Sequence, residues 1–356
     1  MPAGHYAPCG WGGAQTGTAG TRGWHPVGRR PSIKDVAKAA GVSTGLASLA
    51  LNDRAGVAVA TKARIRAVAD ELGYRADPHA RALRTGATDA VALVVRNLVN
   101  PYFLDVISAA QRVAFEQHHT TVLVVDSDYS VASEREHVER LASQRVGGLA
   151  IAPVGPGSTI ERWQELCPGQ PTVVLNATAA GFEDVTRVSP DNEAAVRLAV
   201  THLAELGHRR ITFLTAPAGL MADHDRLETF LAVCADLDLE PDPVEAELNP
   251  PSVRQASERL LAATTRPTAI VTNSDFTAQG VYLGARAAGI RVGEQLSVVG
   301  HDDLPTSALL DPPLTTLALD RRAIGQALAV RLTSSTATDH REPVELVVRG
   351  STGPPS

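Results

Sequence analysis

Cysteine is scarce in this chain. Only three occur in 356 residues, Cys9, Cys167 and Cys234. Their wide separation argues against a disulfide frame and for free thiols in a reducing compartment, each a packing residue first. Long apolar runs are missing too. No stretch reaches the roughly 18 residues that a membrane-spanning helix needs. The opening MPAGHYAPCGWGGAQTG lacks the basic start and apolar stretch of a secretory signal. A cytoplasmic protein that does not engage a membrane is therefore expected. His-Glu-x-x-His, the Walker phosphate loop and Cys-x-x-Cys are likewise absent, and His118, His119 and His208 lack metal-ligand spacing. No catalytic residue, metal site or cofactor is expected, and the chain does not read as an enzyme.

What is present suits a globular protein of two or three domains, with 44% hydrophobic residues and a mean hydropathy of -0.03. The net charge of -6 hides an uneven distribution. From Arg29 to Gly86 stand eleven Lys or Arg against five Asp or Glu, a surplus of six positive charges. Beyond Gly86 the acids outnumber the bases by thirteen. A small basic module on a large acidic body points to nucleic acid at one end and a different ligand at the other. A solvated charged face is the plainer alternative, and the motifs decide against it.

Residues 1–30 are rich in Gly, Ala and Thr without periodicity and read as a disordered tail. Three short helical patterns follow. Ile33, Val36, Ala37 and Ala40 share one face, as do Leu46, Ala47, Ala50 and Leu51, and then Ile65, Val68, Ala69 and Leu72. Gly41 ends the first, and Ser43 is a natural N-cap for the second. None is long enough to be stable alone, so each buries its apolar stripe against the others. Residues 31–76 thus read as an all-α helix-turn-helix headpiece whose second helix presents Thr44, Gly45, Ser48 and Leu49 to a major groove. In residues 77–86, Asp77 and Pro78 start a short basic helix. Its apolar residue, Leu83, suits a wedge into the minor groove, although a plain linker helix fits equally well.

From about residue 90 the pattern changes. The runs AVALVV (90–95), TVLVVD (121–126), GGLAIA (147–152), TVVLN (172–176), ITFLT (211–215), TAIVT (268–272) and LSVVG (296–300) alternate with helical stretches. That is the mark of parallel sheets built from βαβ units. Seven strands and more are many for one small sheet. Two lobes with a ligand cleft at the carboxyl ends of their strands are expected.

SIKDVAKAAGVS, ELGYRADPHARALRTG, VNPYF, SQRVGGLAIAP, DNEAAVRLAVTHLAELGHRRITFL, LSVVGHDDLP, PPLTTLALD and LVVRGSTGPP occur in that order. Residues 31–353 therefore resemble the lactose-repressor (LacI/GalR) family of bacterial transcription factors. The resemblance implies a helix-turn-helix headpiece, a hinge helix at 77–86 and a two-lobed, periplasmic-binding-protein-like α/β effector core at 87–353. Lobe one would take about 87–188 and 320–340, lobe two about 189–319 and 341–353. It also implies a homodimer that binds operator DNA and is controlled by a small-molecule effector. Thr44 and Gly45 fall at the base-reading start of the recognition helix, and Leu49 replaces a usual base-contacting arginine. Ser43, Ser48 and Asn52 fit the phosphate-facing pattern. Leu83 matches the leucine wedge and Ala80 the small hinge residue beside it. Ala76-Asp77 departs from the usual Pro-Asn, and Ala58 replaces a usual serine cap.

For the cleft the resemblance implies an aromatic wall from Tyr102 and Phe103, whose plainer role is core packing. Polar contacts would come from Asp126, Asn176, Arg226, Ser274 (in place of an asparagine) and Asp302, with Asp303 structural. Carboxylate, guanidinium, amide and aromatic groups together suit a polyhydroxylated ligand, a sugar or sugar derivative. A regulator with a non-sugar effector, a binding-only receptor and an α/β enzyme are the alternatives.

Overall fold

The structure is a computed structural model, and it describes residues 31–51, 55–74, 88–155, 157–177, 185–220, 224–333 and 338–356. The expected tail, Asn52 and the expected hinge with Ala80 and Leu83 lie outside the described residues. The chain divides into two compact units between Asp77 and Pro78.

In the first unit, α1 (Ile33–Ala39), α2 (Thr44–Leu51) and α3 (Val59–Glu71) surround a small core. Val36, Ala37, Ala40, Ala47, Ala50, Ile65 and Ala69 are buried there. These are the residues that the 3.6-residue spacing put on the inner faces. At the start of α1 the Asp35 carboxylate accepts from the Ser32 amide at 2.8 Å and from its hydroxyl at 2.7 Å. Gly41, at φ 65°, takes the left-handed turn that ends α1. Ser43 Oγ then accepts from the Leu46 amide at 3.2 Å and caps α2. Ala58 leads into α3 with no side-chain cap.

The second unit holds two six-stranded sheets. The first lobe contains β1 (Ala90–Val95), α4 (Tyr102–His118), β2 (Thr121–Asp126), α5 (Val131–Ser143), β3 (Leu149–Ile151), α6 (Ser158–Leu166), β4 (Thr172–Leu175) and β5 (Thr186–Pro190). The chain then crosses over. The second lobe contains α7 (Asn192–Glu205), β6 (Arg210–Thr215), α8 (His224–Asp236), β7 (Glu240–Glu245), α9 (Pro250–Ala262), β8 (Ala269–Thr272), α10 (Asp275–Ala287), β9 (Ser297–Asp302) and β10 (Thr315–Leu319). The chain returns for α11 (Arg321–Thr333) and β11 (His340–Glu342) of the first lobe, then ends with β12 (Val344–Val347) in the second.

The first sheet runs β11-β5-β4-β3-β1-β2, all parallel. The second runs β12-β10-β9-β8-β6-β7, parallel except for β12. Each sheet has helices on both faces, which is why its central strands are near-continuous apolar runs. The edge strand β7, EPDPVE, hides from this pattern. The Glu240 and Ala246 amides donate to Arg209 and Thr215 carbonyls of the β6 segment. Pro241 and Pro243 sit at the alternate positions, whose missing N–H groups face away from the sheet.

Two glycines hold close approaches. A Cβ at Gly325 of α11 would collide with the Val106 carbonyl of α4. One at Gly300 of β9 would collide with the Asp275 carboxylate.

Candidate functional site

The headpiece exposes one face of α2. Ser43, Thr44, Gly45 and Leu49 are exposed and Ser48 is half-buried, while Ala47 and Ala50 face the core. Thr44 and Ser48, like Gly45 and Leu49, are four residues apart and therefore adjacent on the helix surface. Lys34, Lys38, Arg64 and Arg66 are exposed on the neighbouring helices of the same unit. The run GVSTG at residues 41–45 does have the Gly-x-Ser-x-Gly spacing of a hydrolase nucleophile, contrary to the expectation that no catalytic motif is present. Here it links two helices, and Ser43 caps α2 instead of topping a strand-to-helix elbow.

In the second unit a small cleft, open to solvent, lies at the carboxyl ends of the strands. The first lobe contributes Arg96 after β1, Asn100, Tyr102 and Phe103 around the start of α4, Tyr129 before α5, and Asn176 after β4. The second contributes Arg226 of α8, Leu248, Asn273 and Ser274 after β8, and Asp302 at the end of β9. Six of the seven expected side chains thus meet: Tyr102, Phe103, Asn176, Arg226, Ser274 and Asp302.

Asp126 is not with them. Its carboxylate accepts from the Leu98 and Asp128 amides, each at 2.8 Å, and so fixes the loops beyond β1 and β2.

Tyr102 and Phe103 both pack in the core and line the cavity. They are 3% exposed, belong to the apolar core of the first lobe, and pack edge to face at 5.1 Å while lining the cavity. The Tyr102 hydroxyl donates to Asn176 Oδ1 at 3.0 Å. Burial, with the Asp302 charge next, holds that phenol well above its usual range, so it remains a neutral donor. Arg226 donates from Nε to Asn192 Oδ1 at 2.9 Å and from Nη1 to the Asn273 carbonyl at 2.6 Å. Ser274 Oγ accepts from the Thr277 amide at 3.2 Å and caps α10 at the cavity wall.

Four residues on this rim have positive φ without being glycine: Tyr129 at 52°, Asn176 at 53°, Asp302 at 110° and Asp303 at 50°. Such backbone is rare in non-glycine residues and concentrates at ligand sites, where surrounding contacts enforce it. Those contacts are visible here. Asp302 Oδ1 pairs with His301 Nδ1 at 2.9 Å, and Asp303 accepts from Arg349 at 2.6 Å, in keeping with a structural role. Arg321, at the start of α11, donates to the carbonyls of both Asp302 and Asp303 across the lobe boundary. It also pairs with Asp105 of α4 at 2.9 Å. Behind the rim, Asp275 accepts from the Leu304 amide and from the Ser307 and Thr316 hydroxyls. Burial, with the Asp302 charge next, pushes its carboxyl up to about 7.

Sequence reasoning missed Arg96, Asn100, Tyr129, Leu248 and Asn273. Asn100 stood in the recognised VNPYF motif, so a signal for it existed. For Arg96 a signal existed as well, a cationic residue closing the apolar run of β1.

Residues 32–77 match the family described as bacterial regulatory proteins, lacI family, and residues 200–352 match a periplasmic binding protein-like domain. The HTH-type transcriptional regulator MalR of Streptomyces coelicolor is 34% identical over 335 residues, spanning 90% of this chain and 96% of MalR. The solved lac repressor dimer, bound to operator and the anti-inducer ONPF, is similar with a TM-score of 0.80 and 27% identity. That likeness covers 91% of this chain and 100% of the repressor chain. A complex of the transcriptional regulator CelR with cellobiose is similar with a TM-score of 0.66 and 25% identity, covering 90% and 100%. Among the described residues no helix is long and apolar enough to cross a membrane. The headpiece, the two-lobed core and these likenesses lead to one assignment: the chain belongs to the lacI family of bacterial regulatory proteins.

Proposed function

We propose that this protein is a dimeric, operator-binding repressor whose DNA affinity is set by a polyhydroxylated small molecule, a sugar or sugar derivative, held between the lobes. It turns over no substrate. The observation that carries this reading is the cavity wall: hydrogen-bonding groups from both lobes converge on one space at the strand ends. A ligand that touches Tyr102 and Asn176 on one side and Arg226, Ser274 and Asp302 on the other binds best when the lobes stand at one particular separation. It therefore biases the population of lobe arrangements by its differential affinity for them. The likeness to the CelR–cellobiose complex supports the ligand class.

On the DNA side, Thr44, Gly45, Ser48 and Leu49 form the reading face. Gly45 offers no side chain, and Leu49 offers apolar contact, best suited to a thymine methyl. Lysines and arginines of the headpiece supply the salt-dependent phosphate contacts.

The test is to map the binding sites of the full chain across the genome, then measure affinity for the mapped operator at one fixed salt concentration, with and without residues 1–86. The shortened protein should remain folded and lose operator binding. Unchanged operator affinity after this deletion would remove the basis of the assignment.

A further inference from the structure

Four glycines stand within the described α-helices: Gly45 in α2, Gly280 and Gly284 in α10, and Gly325 in α11. Glycine weakens a helix relative to alanine, so each position costs the fold some stability. Three of them have a visible reason. A Cβ at Gly280 would collide with the Pro250 carbonyl of α9, one at Gly284 with Ser257 of α9, and one at Gly325 with the Val106 carbonyl of α4. In each case the missing side chain lets another helix come close. Gly45 has no such neighbour within the headpiece. A Cβ there would meet only Ser43 Oγ, at 4.0 Å, and the residue is exposed. Its φ lies outside the left-handed range that favours glycine. Neither packing nor backbone conformation requires it.

The surface that Gly45 admits therefore lies outside the headpiece, and the surroundings identify it. Lys34, Lys38, Arg64 and Arg66 are exposed on α1 and α3, and residues 29–86 carry six surplus positive charges. That is the footprint of a polyanion. Helix α2 itself has no charged residue and no side-chain amide. Its outward residues offer two hydroxyls, Thr44 and Ser48, and one branched apolar group, Leu49. Gly45 and Leu49 are neighbours one turn apart.

Arginine and lysine read guanine, and asparagine and glutamine read adenine, by paired hydrogen bonds; α2 has none of the four. A lone hydroxyl both donates and accepts, so it fits many base edges and discriminates little. The base feature that an isobutyl group distinguishes is the 5-methyl group of thymine in the major groove.

We infer that Gly45 sets the depth at which α2 enters the major groove, and that this depth seats Leu49 on a thymine methyl, the main sequence-reading contact of each half-site. This rests on α2 being the operator-facing helix. Gly45 is the approach slot and Leu49 the reading group.

The experiment uses the full chain at one fixed salt concentration, because phosphate contacts make affinity salt-dependent. The probes are a duplex carrying the mapped operator, the same duplex with deoxyuridine replacing each thymidine in turn, and a scrambled duplex. Deoxyuridine removes only the 5-methyl group. At one thymine position it should weaken wild-type binding about threefold in one half-site and about tenfold in both. Leu49→Ala should bind the unmodified operator at least that much more weakly and be indifferent to deoxyuridine there. Gly45→Ala should lose about tenfold or more in operator affinity and keep its affinity for the scrambled duplex. Its α2 amides should gain hydrogen-exchange protection, since alanine is the better helix former. A glycine needed by the headpiece fold would give the reverse. Wild-type operator affinity in Gly45→Ala, weaker α2 protection in that variant, no position sensitive to deoxyuridine, or sensitivity that persists in Leu49→Ala each overturns the inference. In those cases a wild-type preference for the operator leaves the proposed function standing. No preference for the operator over the scrambled duplex overturns both.

Discussion

The headpiece and the effector core bury their apolar residues in different ways. Of the seven buried apolar residues described in the headpiece, five are alanines; Val36 and Ile65 are larger, and Ile33, Val42, Leu51, Val57, Val68 and Tyr74 pack half-buried around them. The core fills its layers with Trp163, Phe213, Phe230 and many leucines, isoleucines and valines. Alanine is the best helix former and lets helices approach closely, but it removes little apolar area from water. The headpiece is therefore a thin-cored module that gains stability by mass action when it binds DNA. The core holds its fold by its own packing. Charge follows the same division, since all three lysines of the chain, Lys34, Lys38 and Lys62, lie in the headpiece. One unit is specialised for attachment and the other for recognition by shape.

The contrast breaks most sharply at Ile65, which is fully buried among alanines. Ile65→Ala should cost about 2–5 kcal/mol, a large part of what so small a module holds. Operator binding at 37 °C should be lost, while the core melts at its wild-type temperature in calorimetry. Wild-type operator affinity in this variant would mean that the headpiece has support beyond its own core.

A second test acts on the core alone. Asp275 has a folded pKa near 7, above the ordinary carboxylate value, because burial disfavours its charged form. The folded state then holds a proton that the unfolded state releases. Core stability from this group is complete at acid pH and is lost as pH rises toward about 7. His208 works in the opposite direction. Its ring is pushed down, first by burial, so its contribution falls as the medium becomes acidic. The isolating measurement is thus the difference in core melting temperature between wild type and Asp275→Asn, from pH 5 to pH 8. The asparagine oxygen can still accept from the Leu304 amide, and the Thr316 hydroxyl can rotate to accept from the new NH2. Wild type should decline by several degrees relative to the variant, and parallel curves would refute the titration.

The smallest effect sharpens the comparison from the headpiece side. α3 starts at Ala58 with no side-chain cap. Ala58→Ser should add about 1 kcal/mol to the headpiece and leave the core transition where it is. Hydrogen exchange of α3 amides would report the gain, and unchanged protection would show that the end of α3 is already satisfied.

Much of this organisation was legible in the sequence. The three headpiece stripes and the apolar runs of β1, β2, β3, β4, β6, β8 and β9 announced themselves because each is buried on one or both faces. The strands β5 (TRVSP), β7 (EPDPVE), β11 (HRE) and β12 (VELV) did not, being short, polar or broken by proline. Their place is set by the neighbouring strand and not by their own composition. For the candidate site, the family resemblance led to the expectation of Tyr102, Asn176, Arg226 and Asp302, and these line one cleft. It did not supply Arg96, whose acceptors lie 57 and 80 residues away in sequence. Such a contact exists only once three strand ends have been brought side by side. Asp126, also expected at the site, is not among the residues that line this cleft, and its carboxylate holds the Leu98 and Asp128 amides.

The crossing of the chain between lobes also bears on how the protein is made. Helix α4 is covered by α11, with Gly325 set against the Val106 carbonyl and Ile324 and Leu328 in the shared apolar cluster. Residues 119–320 lie between these two helices. At ribosomal rates of about 5–20 residues per second, α4 waits roughly 10–40 s for its partner. The second sheet waits as well, since β12 follows β10 only after α11 and β11 of the first lobe. During that interval the apolar face of Val106, Ala110 and Val113 has no native cover from α11. The crossings that join the two lobes thus leave the nascent chain dependent on shielding until α11 and β12 have followed.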